Sequence, residues 1–264
     1  MSRFRGLIVI LSVLVFSSGA MASSYFIYSD WGGTWHDAEK SPTNTEDDLM
    51  CWAAAASNVL AWTGWGLVGG MTNADEMFAH FQDHWTDEGG NPYFGWDWWF
   101  DGTNDTQGVS GWSQEDVDGG GGFYPTLTYT DYVLFTSADA TALSAIDYLL
   151  HNGYGSTLSL TSSTVGHSIT VWGYDYDGQG NYTGIWVTDS DDDKYDSTPE
   201  DELRYYDVLY SGGRWYLQDY YGYNDIYISE VIGLQKMPIV PEPATLSLLE
   251  LALAGLAARR RMRG

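Results

Sequence analysis

Cysteine is almost missing from this chain of 264 residues, which contains only Cys51. A single thiol cannot form an intramolecular disulfide, so a fold stapled by disulfides is excluded. Lysine and arginine are also scarce, at 11 against 36 aspartates and glutamates, and six of the basic residues lie in the two terminal segments. Because binding to a phosphate backbone depends on clustered Lys and Arg, we expect no nucleic-acid partner.

The first 22 residues have the three parts of an export signal. Arg3 and Arg5 precede an apolar run over residues 7–16, and Ala20-Met21-Ala22 supplies the small-x-small pattern of a cleavage site. This order predicts a signal peptide over residues 1–22 and a mature chain that begins near Ser23.

The C-terminal segment, residues 240–264, lacks the apolar run of about 20 residues that a spanning helix needs. Pro241-Glu242-Pro243 is followed by 15 apolar-rich residues, 244–258, and then by an arginine cluster, 259–263. This order resembles the PEP-CTERM sorting signal of bacteria that export exopolysaccharide-associated proteins. The resemblance implies an exosortase-type partner, transient membrane anchoring, processing, and a final place at the cell surface or in an exopolysaccharide matrix. An ordinary membrane anchor is the alternative, and in both cases the arginines should face the cytoplasm.

Residues 23–239 have the length of one domain, and they contain no internal repeat or long linker. Periodicity and capping residues predict helices over 51–63, 72–85 and 138–151, the last capped by Ser137 and carrying Tyr148 on its apolar side. Strands are predicted after them, over 156–160, 167–176, 182–188, 203–210, 214–220 and 225–234. Residues 86–122 have no sustained period and are predicted to be an ordered loop that forms a cleft wall with Trp96, Trp98, Trp99 and Trp112. Helices followed by an antiparallel sheet indicate an α+β fold.

Cys51 begins an alanine-rich run behind Asp47 and Asp48, a pattern typical of a helix start. The N-terminus of a helix favours an anion and therefore lowers the pKa of a thiol. Unpaired cysteines are also among the most buried residues, where they act as small apolar side chains. Cys51 is therefore either a nucleophile or an inert core residue.

The turn around Gly178 decides which carboxylate can reach His167. A three-residue loop centred on Gly178 or Gln179 places Asp189 or Asp191 opposite the histidine, whereas a two-residue loop places Ser190 there. The prediction of a His–Asp pair thus depends on the register of one hairpin.

No cofactor or metal is expected. The turn over residues 175–181 resembles a calcium loop, but Trp186 stands where an EF-hand needs a bidentate glutamate. His80 and His84 are one helical turn apart, and the sequence offers them no third ligand.

Four segments of the chain together match the pattern of a known family. They are Trp35 to Lys40, Asp47 to Leu60, Gly166 to Asp177, and Val187 to Asp191. In order and content they resemble the Mac/IdeS cysteine endopeptidases, whose founding members cleave IgG, and the similarity spans roughly residues 35–234.

The resemblance implies a papain-like fold and a role for each matching residue. It implies that Cys51 is the nucleophile, His167 the general base, Asp189 the residue that orients it, and Asp191 a nearby support. Lys40, one residue farther from the cysteine than in the family pattern, matches the lysine that helps to form the oxyanion hole.

The function expected from these observations is an exported cysteine endopeptidase that hydrolyses peptide bonds of an extracellular protein or peptide. Two alternatives stay open. One is a catalytically inactive surface protein that binds exopolysaccharide through its many aromatic side chains. The other is a transglutaminase-like acyltransferase, because acyl transfer to an amine uses the same Cys/His/Asp chemistry.

The acidic composition generates a first prediction. Residues 23–239 carry 34 acidic and 5 basic side chains, and the self-repulsion of such a chain destabilises the compact state. We expect the melting temperature to rise with NaCl, because the Debye length falls from about 30 Å at 0.01 M to about 10 Å at 0.1 M. A larger rise with CaCl₂ at equal ionic strength would reveal a calcium site, and a melting temperature that salt does not change would contradict the prediction.

Overall fold

The computed structural model describes residues 23–42, 46–192 and 201–238, so the predicted signal peptide and sorting signal lie outside the described residues. In chain order the elements are β1 (Ser23–Phe26), α1 (Ile27–Trp31), α2 (Cys51–Thr63), α3 (Ala74–Gln82), α4 (Pro92–Asp101), β2 (Val133–Ser137), α5 (Ala142–His151), β3 (Tyr154–Thr161), β4 (Gly166–Tyr176), β5 (Tyr182–Thr188), β6 (Arg204–Ser211), β7 (Arg214–Leu217) and β8 (Tyr227–Gln235). Short 3-10 turns lie at Tyr129–Asp131 and Asp139–Thr141. Among these residues, no helix has the length and apolar character needed to cross a membrane.

The strands form an antiparallel sheet that closes on itself. The order β4-β3-β8-β7-β6-β5 returns to β4 through the β4–β5 pairing, while β1 pairs with β4 and β2 pairs with β8. The predicted α+β class with a mainly antiparallel sheet is confirmed. Strands β1 and β2 were not predicted, because they are only 4 and 5 residues long.

Two cores lie on the two sides of the sheet. Neighbouring residues of β8 point to opposite cores, Val231 to the first and Ile232 to the second, as the period of two in a strand requires. The first core packs α5 against the sheet through Leu143, Ile146, Leu149 and Leu150. The second packs α2, α3 and α4 against the sheet through Leu60, Met77, Phe81, Trp96 and Trp99.

Helix α4 corrects the prediction that residues 86–122 are loop throughout. Its signals are present: the Asn91 side chain caps it by accepting from the backbone N–H of Tyr93, Pro92 is its first residue, and Gly102 ends it in the left-handed region at φ 82°. The helix was missed because its less buried side carries the aromatic residues Tyr93 and Phe94 as well as Asp97, so no clear amphipathic period shows in the sequence. Three of the tryptophans expected in a cleft wall are core residues that expose no measurable surface, namely Trp96, Trp98 and Trp99.

Helix α5 begins later than predicted. Ser137 ends strand β2 instead of capping the helix, and a 3-10 turn over Asp139–Thr141 comes between them. The predicted stop is confirmed, with Asn152 at the C-cap and Gly153 at φ 74°. Tyr148 is 57% exposed, so its place on the apolar side was wrong.

Asn58 joins α2 to the sheet. Its Oδ1 accepts a hydrogen bond from the Ala38 backbone N–H at 2.8 Å, and its Nδ2 donates to Thr170 Oγ1 at 3.2 Å and Thr188 Oγ1 at 3.4 Å. Thr170 lies on β4 and Thr188 ends β5. This buried amide therefore sets the position of the helix that begins with Cys51.

The Asn58 contacts give the second prediction. Asn58→Ala should lower the free energy of unfolding by about 2 kcal/mol, because buried partners lose their hydrogen bonds. Ser57→Ala is the matched control, since Ser57 is also buried on this helix but its hydroxyl bonds the Ala53 carbonyl one turn back, within the helix itself. Urea unfolding at unchanged m-value measures the difference. Equal losses in the two variants would contradict the anchoring role.

Candidate active site

Cys51 is the first residue of α2, and it is half-buried. The N-cap is Met50, without a side-chain cap. Asp47 lies before the helix, as the sequence pattern required, but its Oδ2 accepts from the Ser41 N–H at 2.8 Å and from Gln82 Nε2 at 3.0 Å. The Asp47 carboxylate thus connects Ser41 to the end of α3. The positive end of the α2 dipole acts on the Cys51 sulfur.

His167 is held by a buried carboxylate. Its Nε2 lies 2.7 Å from Asp189 Oδ1, and 8% of its side chain is exposed. Asp189 also accepts from the Tyr220 hydroxyl at 2.5 Å and from the Asp191 backbone N–H at 3.0 Å. Tyr220 was not predicted as a site residue, because a tyrosine at the end of a predicted strand has the same sequence pattern as a core residue.

The hairpin register places the two aspartates at different atoms of His167. The Asp177 N–H bonds the Asn181 carbonyl at 2.9 Å, so the loop has three residues centred on Gln179. Thr170 pairs with Thr188, and continued counting would place Asp191 opposite His167. Strand β5 ends at Thr188, however, and a turn at residues 189–192 brings Asp189 to Nε2 instead. Asp191 Oδ2 lies 3.6 Å from Nδ1.

Burial opposes charge on the thiol and the imidazole, and neighbouring groups reverse its effect. Burial raises the pKa of the Cys51 thiol, but His167, Lys40 and the Ser168 backbone bring it below its ordinary value. Burial likewise lowers the pKa of His167, but Asp189 and Cys51 hold it well above the usual range. The pKa of Asp189 is lowered against its own burial, chiefly by His167. These directions favour a thiolate paired with an imidazolium.

The Lys40 side chain, from the segment before α2, also lies beside Asp191 and near the Cys51 sulfur. Its ammonium pairs with Asp191 Oδ1 at 2.5 Å and donates to the Asp48 carbonyl at 2.8 Å. Only 1% of the residue is exposed, and its charge acts on the Cys51 sulfur. The structure therefore brings all five predicted site residues together.

A cavity of about 410 Å³ opens onto the sulfur. Trp112 forms part of its wall, as predicted, and the remaining lining includes Leu49 and four glycines, Gly89, Gly90, Gly111 and Gly166. Glycines on both sides leave room for an extended backbone to approach the sulfur.

The histidines considered as metal ligands have other partners. His80 Nε2 bonds the Gly120 carbonyl at 2.8 Å, and His84 Nδ1 bonds the His80 carbonyl at 2.9 Å. The Asp177 carboxylate, in the turn that resembled a calcium loop, accepts from the backbone N–H groups of Gln179 and Asn181 within its own turn.

One group of carboxylates has the spacing of a metal site. Oxygens of Asp37, Glu39 and Asp192 lie within 4.8 Å of one another. Burial raises the pKa of Asp37 to about 8, even though the Glu202 backbone N–H bonds its carboxylate, and Arg204 Nε pairs with Asp192 at 3.1 Å. Protonation of Asp37 and the charge of Arg204 can therefore balance the negative charge of these three carboxylates. The absence of a metal stays a prediction.

The lowered thiol pKa gives the third prediction. In the folded protein, iodoacetamide should label Cys51 faster than a model thiol near pH 7, and the rise of the rate with pH should be centred below the model thiol's pKa. His167→Ala should move that rise to higher pH, because it removes the largest contribution that lowers the thiol pKa. Since the chain has one cysteine, incorporated label reports Cys51 directly. If Cys51 is labelled only after denaturation, it is an inert core residue and not a nucleophile.

Comparison with known proteins finds two matches to family models. The Mac 1 model matches residues 142–211, which carry His167, Asp189 and Asp191. The model of the PEP-CTERM protein-sorting motif matches residues 240–261. No curated protein matches the chain. The chain is thus similar to the Mac 1 family over the strands that hold the histidine and the aspartates, and it ends in a PEP-CTERM sorting motif, as its sequence predicted.

Proposed function

We propose that this protein is an exported cysteine endopeptidase with a papain-like arrangement, in which a helix carries the thiol and an antiparallel sheet carries the histidine and the carboxylate. One observation carries the proposal. A single imidazole, His167, bonds a buried carboxylate through Nε2 and interacts with the Cys51 thiol at a helix start. A nucleophile, a base and a group that orients the base are what amide hydrolysis by a thiol requires.

The contacts of His167 support a role for each of its two ring nitrogens in the proposed reaction. Because Asp189 occupies Nε2, Nδ1 is the nitrogen that takes the proton of Cys51. The thiolate attacks the carbonyl carbon of the scissile bond, and the tetrahedral intermediate collapses to a thioester as His167 gives this proton to the leaving amine. Water then attacks the thioester while His167 accepts its proton, and collapse releases the carboxylic acid and restores the thiol.

Lys40 and the backbone N–H of Cys51 are the proposed donors to the oxyanion. The ammonium is fixed by Asp191 and by the Asp48 carbonyl, so little reorganisation is needed when negative charge develops on the substrate oxygen. In this arrangement Asp191 supports the site by holding Lys40 as well as by lying near His167 Nδ1.

The sorting motif supports a place of action outside the cell. A PEP-CTERM motif implies recognition by exosortase-type machinery, so we propose that the protein acts at the surface or in a surrounding matrix on a protein or peptide substrate. The burial of Trp96, Trp98 and Trp99 removes three of the side chains that an exopolysaccharide-binding surface would use.

The fourth prediction separates the residues around His167. Asp189→Asn should lower kcat by orders of magnitude with little change in KM, because the carboxylate orients and stabilises the imidazolium that gives its proton to the leaving amine. Asp191→Asn should have a smaller effect. Tyr220→Phe keeps the ring and removes one hydrogen bond, so we expect a loss of about tenfold.

The assay is cleavage of a denatured protein mixture under reducing conditions, and Cys51→Ala should abolish cleavage while the circular dichroism spectrum is unchanged. A larger loss at Asp191 than at Asp189 would contradict the assigned roles. Incorporation of a primary amine into a glutamine-containing protein, without peptide-bond cleavage, would favour acyl transfer over hydrolysis.

A further inference from the structure

A second cavity adjoins the catalytic one. Its volume is about 490 Å³, and Trp112 lines both cavities. The side chains that line the second cavity are four aromatic rings, one amide and one carboxylate: Tyr93, Phe94, Trp112, Phe135, Asn91 and Glu230. A peptide bound at Cys51 can therefore continue past Trp112 into a space of different chemistry.

The sheet fixes how far Glu230 lies from the catalytic cavity. Ser168 on β4 pairs with Ser159 on β3, and Ser159 pairs with Glu230 on β8. Directly paired residues of antiparallel strands point to the same face, and neighbouring strands lie about 4.8 Å apart. Glu230 is thus about 10 Å from Ser168, whose backbone bonds the Cys51 sulfur. An extended chain covers that distance in about three residues.

The Glu230 carboxylate is held in a fixed orientation. Its Oε2 accepts from Asn91 Nδ2 at 2.9 Å and from Ser159 Oγ at 3.0 Å. Asn91 cannot turn away, because its Oδ1 caps helix α4 at the Tyr93 N–H. Both bonds go to one oxygen, and no lysine or arginine in the described parts of the chain pairs with Glu230.

Aromatic rings line the same cavity as this carboxylate. Phe94 and Trp112 meet edge to face at 5.7 Å, and Phe135 is 51% exposed at the rim. A cation with an apolar stem fits such a site, because the rings attract positive charge and the carboxylate pairs with it. The excess of acidic groups on the chain also favours a cationic ligand and disfavours an anionic one.

We propose that this second cavity is a substrate subsite that takes a basic side chain of the peptide, above all arginine, and that Glu230 determines this specificity. The proposal rests on the proposed peptidase function. The basic residue binds two to three positions from the scissile bond, with its stem against the aromatic rings and its guanidinium at Glu230.

The test measures binding apart from catalysis. In the Cys51→Ala chain, fluorescence anisotropy gives Kd for labelled decapeptides of Ala, Gly and Ser in which one arginine is placed at each position in turn. Citrulline at the same position is the neutral isostere. We expect the best arginine peptide to bind at least about tenfold more tightly than its citrulline partner.

Glu230→Gln, added to Cys51→Ala, keeps an oxygen that can accept from Asn91 and Ser159 but removes the charge. It should equalise the two Kd values. Asp207→Asn is the matched control, because it removes one exposed charge on β6, a strand that contributes no residue to the cavity lining, and should leave the preference intact.

Two results would overturn the subsite: an arginine preference that survives Glu230→Gln, or no preference at any position, including no measurable binding. A Glu230-dependent preference in a protein whose wild-type form cleaves nothing would support the subsite and refute the peptidase. Cleavage that depends on the Cys51 thiol but shows no arginine preference would support the peptidase and refute the subsite.

Discussion

The bond between Asp189 and His167 is the interaction on which the rest of the site depends. A carboxylate that is 1% exposed is costly unless it is paired and hydrogen-bonded. Asp189 meets that requirement with an imidazole, a tyrosine hydroxyl and a backbone N–H, which come from β4, from the segment after β7 and from its own turn. These partners fix the imidazole plane, and the fixed imidazole in turn determines the charge state of Cys51.

Local positive charge works here against a strongly negative chain. The long-range field of the acidic residues disfavours a thiolate, yet the pKa of Cys51 is lowered. The groups responsible are close to the sulfur and poorly screened: His167 and Lys40, together with the start of α2. The Lys40 backbone N–H bonds the Ser190 carbonyl in the turn after β5, so the fold brings this charge to the sulfur from a different part of the chain.

Both cavities lie where the start of a helix meets the sheet. The starts of α2 and α4 both meet the sheet on one face, one at Ser168 and the other at Glu230. Trp112, from the segment between α4 and β2, separates the two positions and lines both cavities. Because the site is built from helix starts and strand residues, the packing of the two cores fixes its position. Trp112, a loop side chain, supplies the wall that both cavities share.

Much of the fold followed from the sequence alone. The helix of Cys51 and six strands were predictable because their periods and end signals are local. The amphipathic pattern did not reveal α4, since aromatic residues occupy its less buried side as well as its buried side. It did not reveal β1 and β2 either, because these strands are too short to show a period.

The tertiary structure decided what depends on register and on distant contacts. The hairpin pattern left Asp189, Asp191 and Ser190 as alternatives opposite His167, and only the family resemblance favoured Asp189. The end of β5 at Thr188, followed by a tight turn, brings Asp189 to Nε2 and Asp191 to Lys40. Tyr220, Asn58 and Glu230 carry no local signal, because each acquires its partner only when separate strands and helices pack together. The sequence by itself determined which reactive side chains are present and that the chain carries a sorting motif. Packing decided which atoms of those side chains come into contact.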